Sequence, residues 1–343
     1  MNLKPIDQQV VVVVGASSGI GRDTALKFAQ KGAKVVVAAR SKEGLDTLVE
    51  EISASGGDAI AVPADVADFE QVKAIAEKTV EHFGRIDTWV SLAATSVLAN
   101  FDNVTPEEFK RVIDVTLMGQ VYGAMVALPY LKREGRGASI HVTSLEGRRS
   151  LPYQSAYSAA KHGAIGFIDA MRLELKNEGY PISVTNIMPG VINTPFYNKG
   201  KTKLGVKPTG VPPYYNASLV TDAILYAAEN PVRDYIVSDV GRILDIAQRI
   251  SPGLVDALLL AIAFPFQKTD EPKSEDAPNN LYEPIQGYDK VNGDFDKLEV
   301  PSIVDMLDKG PAFAIGGICC RCTGSGCTIR RTWRSLIPSN FTT

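Results

Sequence analysis

Tyr157 and Lys161 stand four residues apart at the end of the stretch Ser144–Lys161, which reads S-L-E-G-R-R-S-L-P-Y-Q-S-A-Y-S-A-A-K. On a helix that begins near Ser155 the two side chains emerge on one face, one turn apart. An ammonium beside a phenol favours the phenolate, so Lys161 is expected to draw the Tyr157 pKa down from about 10 towards neutrality. A tyrosine tuned in that way can give or take a proton near physiological pH, as general acid–base chemistry requires. Ser144 follows the apolar run Ala138–Val142, where a strand would end, and its hydroxyl there could orient a carbonyl or an alcohol. A Y-x-x-x-K pair alone is equally consistent with two surface residues. The chemistry depends on whether the rest of the chain brings a cofactor to it.

The elements that would do so begin with Val10–Val14, five valines in succession, the pattern of a strand buried on both faces of a parallel sheet. Gly15-Ala-Ser-Ser-Gly19-Ile-Gly21 follows, then an amphipathic helix from Arg22 to Lys31 and a second apolar strand, Lys34–Ala39. Strand, glycine turn, helix and strand in about 30 residues form the βαβ dinucleotide-binding unit. Gly15 allows the tight turn, Gly19 lets the backbone approach a pyrophosphate, and Gly21 lets the helix pack closely. The helix N-terminus, with Ser17, Ser18 and Ile20 around it, presents free N–H groups to the phosphates.

The alternation continues with helices at 45–52, 69–83, from Pro106 to about Leu131, at 155–177 and at 217–229. Strands are expected at 59–62, 86–90, 138–142, 182–188 and 235–237. The expected fold is α/β, a doubly wound (Rossmann) seven-stranded parallel sheet with helices on both faces. Ligands in such sheets bind outside the carboxyl ends of the strands. Gly15, Asp65, Ala93, Ser144 and Pro189 all follow strands, so they should line one rim, which puts Tyr157 beside the dinucleotide.

These motifs, in this order, resemble the single-domain branch of the short-chain dehydrogenase/reductase family over roughly residues 6–240. The resemblance implies Ser144, Tyr157 and Lys161 as catalytic residues, with Lys161 also holding the nicotinamide ribose. It implies Asp65-Val66 as an adenine-contacting pair and Ala93 as the surviving residue of a four-residue motif after the fourth strand. It further implies Pro189-Gly190-Val191-Ile192-Asn193-Thr194-Pro195 as the loop whose threonine meets the nicotinamide amide. Thr116 stands where the family has an asparagine that helps hold a proton-relaying water, and a single hydroxyl replaces a carbonyl plus two donors. A homodimer or homotetramer through helices at about 105–131 and 155–177 is also implied.

At the end of the second strand Ala39-Arg40-Ser41 offers a guanidinium and no carboxylate, which suits a ribose 2′-phosphate; the expected cofactor is NADP(H). The expected reaction is hydride transfer between that cofactor and an alcohol or carbonyl, with a non-catalytic NADP(H)-binding regulator as the alternative. Phe196, Tyr197, Tyr214 and Tyr215 either line a pocket for a lipophilic substrate or pack a lid on the core.

The 343 residues carry a net charge of −3, which gives no electrostatic case for nucleic acid or an anionic membrane. The longest apolar stretch, Ala257–Phe264, falls short of the ~20 residues of a spanning helix. No secretory leader pattern opens the sequence, so a cytoplasmic location is expected; membrane contact is possible but not predicted. Three scattered histidines lack ligand spacing and no metal is expected.

The expected divisions are a catalytic domain over 1–266, an extended arm over 267–310 and a Cys/Arg-rich tail over 311–343. The arm's composition is acidic, with eleven Asp or Glu against five Lys in 268–310, and its short apolar anchors are Leu281-Tyr282 and Ile303-Val304. The tail holds all four cysteines and is expected to be disordered. The apolar run Leu254–Phe264 should be covered by the substrate side or a subunit contact.

Overall fold

The computed structural model describes residues 1–303. The first half runs β1 (Val10–Val14), α1 (Gly19–Gln30), β2 (Lys34–Ala39), α2 (Lys42–Ala54), β3 (Asp58–Pro63), α3 (Phe69–Phe83) and β4 (Thr88–Ser91). A two-residue strand β5 (Val97–Leu98) leads to α4 (Pro106–Ile113), a π-helical turn (Asp114–Met118) and α5 (Gly119–Arg133). Then come β6 (Gly137–Val142), α6 (Ser155–Asn177), β7 (Ile182–Pro189), the one-turn α7 (Phe196–Lys199), β8 (Lys201–Thr202) and β9 (Val206–Pro208). The last elements are α8 (Ala217–Glu229), β10 (Asp234–Val237), α9 (Asp239–Ile250), α10 (Pro252–Phe266) and β11 (Lys268–Pro272).

Seven strands form one parallel sheet in the order β10-β7-β6-β4-β1-β2-β3. The valine strand β1 lies inside it, hydrogen-bonded to β2 on one side and β4 on the other. Its side chains alternate between two cores. Val11 and Val13 join Phe28, Leu45 and Leu48, while Val12 and Val14 join Ile75, Trp89 and Leu131. The doubly wound sheet read from the sequence is therefore the observed one, with the chain reversing direction of travel beside β1.

Local chemistry sets the helix bounds. The Asp68 side chain accepts from the Glu70 and Gln71 N–H groups to start α3, and Gly84, in the left-handed region, stops it. A Thr105/Glu108 capping box with Pro106 at the first position starts α4.

Three features depart from the expectations. Helix α9 was not anticipated; it is amphipathic, is capped by Ser238, whose side chain accepts from the Gly241 N–H, and buries Gly241, Arg242 and Asp245. The apolar run in α10 is covered on one face only. Val255, Leu259 and Ala263 are buried, whereas Leu254, Leu258, Leu260 and Phe266 stay exposed, as do Ile243, Ile246 and Ile250 of α9. A helix apolar all round keeps such a face wherever one neighbour covers only part of it.

The chain past 266 also does more than lie on the surface. Strand β11 pairs antiparallel with β9, and residues 273–303 then run back along the carboxyl rim of the sheet. There Leu281 is fully buried, and Phe295 stacks on Tyr214 with centroids 4.6 Å apart. The Tyr282 half of the first anchor stays exposed. The tail expected over 311–343, and Val304 of the second anchor, lie outside the described residues.

At the opposite rim Asp87 locks β1 to β4. Its buried carboxylate accepts from the Val10 N–H (2.8 Å), Arg85 Nε (2.8 Å) and Lys4 Nζ (2.5 Å). Asp87→Ala strands a buried N–H and two cations, so it should cost about 2–4 kcal/mol. Urea unfolding of the variant beside wild type measures this, and a loss under 1 kcal/mol would contradict it.

Candidate active site

The turn after β1 has the geometry that a dinucleotide pyrophosphate needs. Gly15 adopts φ +95, and a Cβ there would come within 2.7 Å of the Ala93 backbone. A Cβ on Gly21 would lie 2.1 Å from the Gly15 carbonyl oxygen, so α1 can sit against the sheet only as glycine. A Cβ on Gly19, which adopts φ +59, would lie 3.2 Å from Thr194 of the loop after β7. A cleft of ≈ 190 Å³ opens above this turn, and Ser17, Ser18, Ile20, Arg40, Val66 and Ala93 line it. Asp65 lies between two wall residues, and its carboxylate bonds the Ala67 N–H and Arg111.

A second cavity of ≈ 160 Å³ adjoins the first, and Ile20, Leu92, Thr194 and Phe196 wall both. Ser144, Tyr157 and Lys161 face this second space together with Pro189, Gly190 and Val191. The topology thus brings together residues as far apart in sequence as Gly15 and Phe196. Helix α6 begins at Ser155, which places Tyr157 and Lys161 on successive turns of one face.

The electrostatics differ from the expectation. Tyr157 is half-buried, and loss of water, then the Glu146 charge, pushes its pKa up, against a smaller downward pull from Ser144. Lys161 lies with Nζ 5.4 Å from the Tyr157 ring centroid and donates to the Val142 carbonyl at 2.9 Å. Its own burial brings it down to about 7, so near neutrality it is only partly charged. Desolvation by the apolar walls outweighs the pairwise attraction that spacing alone suggested.

Glu146 was missed at the sequence level. It is buried, accepts from Ser158 Oγ at 2.8 Å, and its burial pushes it up to about 8. Its one signal was an acid two residues after Ser144, beside Leu145 in the segment after β6. Thr116, in the π-helical turn, is fully buried. Its hydroxyl accepts from the Thr95 N–H and donates to the Thr95 carbonyl, both at 3.1 Å, so its one donor serves to tie the turn to the loop after β4. The four lid aromatics divide. Phe196 and Tyr197 line the second cavity, with Phe196 5.4 Å from Tyr157, whereas Tyr214 and Tyr215 are buried in packing.

A glycine cradle that excludes Cβ atoms, a helix N-terminus with no side-chain cap and an adjoining Ser–Tyr–Lys cluster define a dinucleotide-dependent enzyme class. The family model for short chain dehydrogenases matches residues 9–204, and the chain belongs to that family of nicotinamide-dependent oxidoreductases.

The chain is 40% identical over 285 residues to the uncharacterized oxidoreductase YxnA of Bacillus subtilis (strain 168), covering 82% of this chain and 80% of that protein. A match that long extends beyond residue 204 into the C-terminal part. The chain is also 36% identical over 194 residues to the 3-oxoacyl-[acyl-carrier-protein] reductase FabG of Thermotoga maritima, covering 57% and 78% of the two. Among solved structures, an alcohol dehydrogenase from the archaeon Thermococcus sibiricus, complexed with 5-hydroxy-NADP, aligns with a TM-score of 0.58. That pair shares 26% identity, over 66% of this chain and 94% of the other.

The raised Glu146 pKa makes the stability of the fold depend on pH. A carboxyl held protonated by the fold stabilises it below the unfolded value of about 4.5, and that stability is lost as pH rises towards about 8. Glu146→Gln removes the loss. Its melting temperature should gain on wild type steadily from pH 4.5 to pH 8, and parallel curves would mean that Glu146 titrates normally.

Proposed function

We propose that the protein is an NADP(H)-dependent oxidoreductase of an alcohol/carbonyl pair, with Tyr157 as its general acid/base. The observation that carries this reading is the shared wall of Ile20, Leu92, Thr194 and Phe196. It joins the cleft over the glycine turn to the cavity that holds Tyr157. The fit to a dinucleotide rests on Gly15 and Gly21, where any side chain would fill the cradle.

When bound, NADP(H) would supply a hydride donor or acceptor. The chain's own residues do the rest. Ser17, Ser18, Gly19 and the N-terminus of α1 would hold the pyrophosphate, and Arg40 the 2′-phosphate. Thr194 would meet the carboxamide, and Lys161 the nicotinamide ribose. Ser144 donates to the substrate oxygen and stabilises charge developing there. Tyr157 gives its proton to that oxygen in reduction and removes it in oxidation. Its raised pKa keeps it protonated, the form reduction needs, and Lys161, titrating near 7, is placed to take up or release a proton behind it.

Leu145, Leu151, Val191, Ile192, Phe196 and Leu244 give the substrate cavity apolar walls, which supports a lipophilic carbonyl or alcohol. The names of the archaeal alcohol dehydrogenase and of the acyl-carrier-protein reductase agree with that substrate class. Assembly into a homodimer or homotetramer through α4–α5 and α6 is part of the proposal. Met125 and Leu173 are exposed on those helices.

Tyr157→Phe should lower turnover on a panel of aldehydes, ketones and quinones by about 10³-fold while leaving NADPH binding intact. Retained turnover would remove Tyr157 from its role, and NADPH binding with no wild-type turnover would favour a cofactor-sensing regulator. Arg40→Asp should cut the ratio of NADPH to NADH affinity by about tenfold or more. Fluorescence titration of both dinucleotides measures the ratio, and an unchanged value would end the 2′-phosphate assignment.

A further inference from the structure

The acidic segment after β11 touches the dinucleotide cleft with its oxygens. Arg40 Nη2 donates to the Asn280 carbonyl at 2.6 Å, and Nη1 to the Tyr282 carbonyl at 2.7 Å and the Leu281 carbonyl at 3.4 Å. Arg111 Nε donates to the same Leu281 carbonyl at 3.0 Å.

At the other end of the cleft the Gly19 N–H of the phosphate turn donates to the Lys290 carbonyl at 2.9 Å. Asp289 lines the cleft, where its charge acts on Lys199, whose Nζ donates to Ser18 Oγ at 2.6 Å. Carbonyl oxygens of one segment thus meet Arg40 and the Gly19 N–H, donors that a phosphorylated dinucleotide needs, and its Asp289 side chain shares the cleft. The Leu281 side chain anchors the segment by full burial against Val97, Ala99, Val112 and Ala156.

We propose that residues 280–290 are a built-in competitor for the phosphate-binding donors of the cleft, so that their docking on Arg40 and binding of NADP(H) exclude one another. Two physical facts support exclusion over co-closure. A guanidinium recognises a phosphate through a fork of paired N–H groups, and here both terminal nitrogens already serve carbonyls. The segment also brings the Asp289 carboxylate to the wall of a site for a polyanion, and like charges at short range repel.

The inference rests on the NADP(H) reading above and adds a consequence to it. Apparent affinity falls by the fraction of protein with the segment released, so docking nine-tenths of the time weakens binding about tenfold. It also makes this segment, which lies beyond the family model's match at residue 204, a determinant of cofactor affinity.

The test uses the full chain. Leu281→Ser removes the anchor, and Asp289→Asn removes one competing charge without touching the core. By NADPH fluorescence, the first should tighten binding about fivefold or more and the second about twofold. Amide hydrogen exchange on the wild-type protein supplies a readout independent of folding in the variants: peptides covering 280–290 should exchange faster when NADPH saturates the protein. Weaker NADPH binding in Asp289→Asn, or slower or unchanged exchange at 280–290, would overturn the proposal by showing that the segment closes over the cofactor or ignores it. Failure of the NADP(H) reading is separable, because it appears in wild type as tighter binding of NADH than of NADPH whatever the segment does.

Discussion

Five valines in β1 impose the constraint on which the rest depends. A strand with no polar side chain must be covered on both faces, and covering both faces of a parallel sheet requires helical crossovers above and below it. Each valine of β1 is buried, the strand is hydrogen-bonded on both edges, and the two cores of the molecule meet across it. The same strand ends at Gly15, where α1 approaches so closely that Gly21 has no room for a Cβ. The phosphate turn is therefore a consequence of how the central strand is buried.

Desolvation governs the chemistry built on that frame. Ser144, Tyr157, Lys161 and Glu146 crowd where β6 ends and α6 begins, and the apolar walls around them raise the acids and lower the base. A lysine near 7 and a carboxyl near 8 titrate in one pH range beside a tyrosine that burial keeps protonated. That arrangement is typical of a site prepared for acid–base work. The staple from Thr116 to Thr95 gives the neighbouring π-helical turn a structural tie in place of a long amide side chain.

The C-terminal segment changes how Arg40 is understood. An arginine at the end of the second strand, facing no carboxylate on that strand, suits a phosphate. Folding supplies oxygens from residues 240 positions away in sequence. A strand pairing at β11, a buried leucine and a stacked phenylalanine hold that segment along the rim from which the dinucleotide must enter.

Much of the architecture was legible in the sequence because its signals are local. Asp68 and Gly84 bound α3, Asn216 caps α8, and the apolar runs of the seven strands carry their own burial pattern. The glycine turn and the Ser144–Tyr157–Lys161 spacing were legible for the same reason, since close packing and helical periodicity act over a few residues. Helix α9 escaped because its polar face reads as loop and its apolar face remains exposed. Protonation could not be read from sequence. The direction of the Tyr157 shift depends on how much water the walls of distant elements exclude, and spacing to Lys161 says nothing about that. The partners of Arg40 were hidden for the same physical reason: hydrogen bonds to backbone carbonyls leave no side-chain signature, and only the folded chain decides which carbonyls arrive.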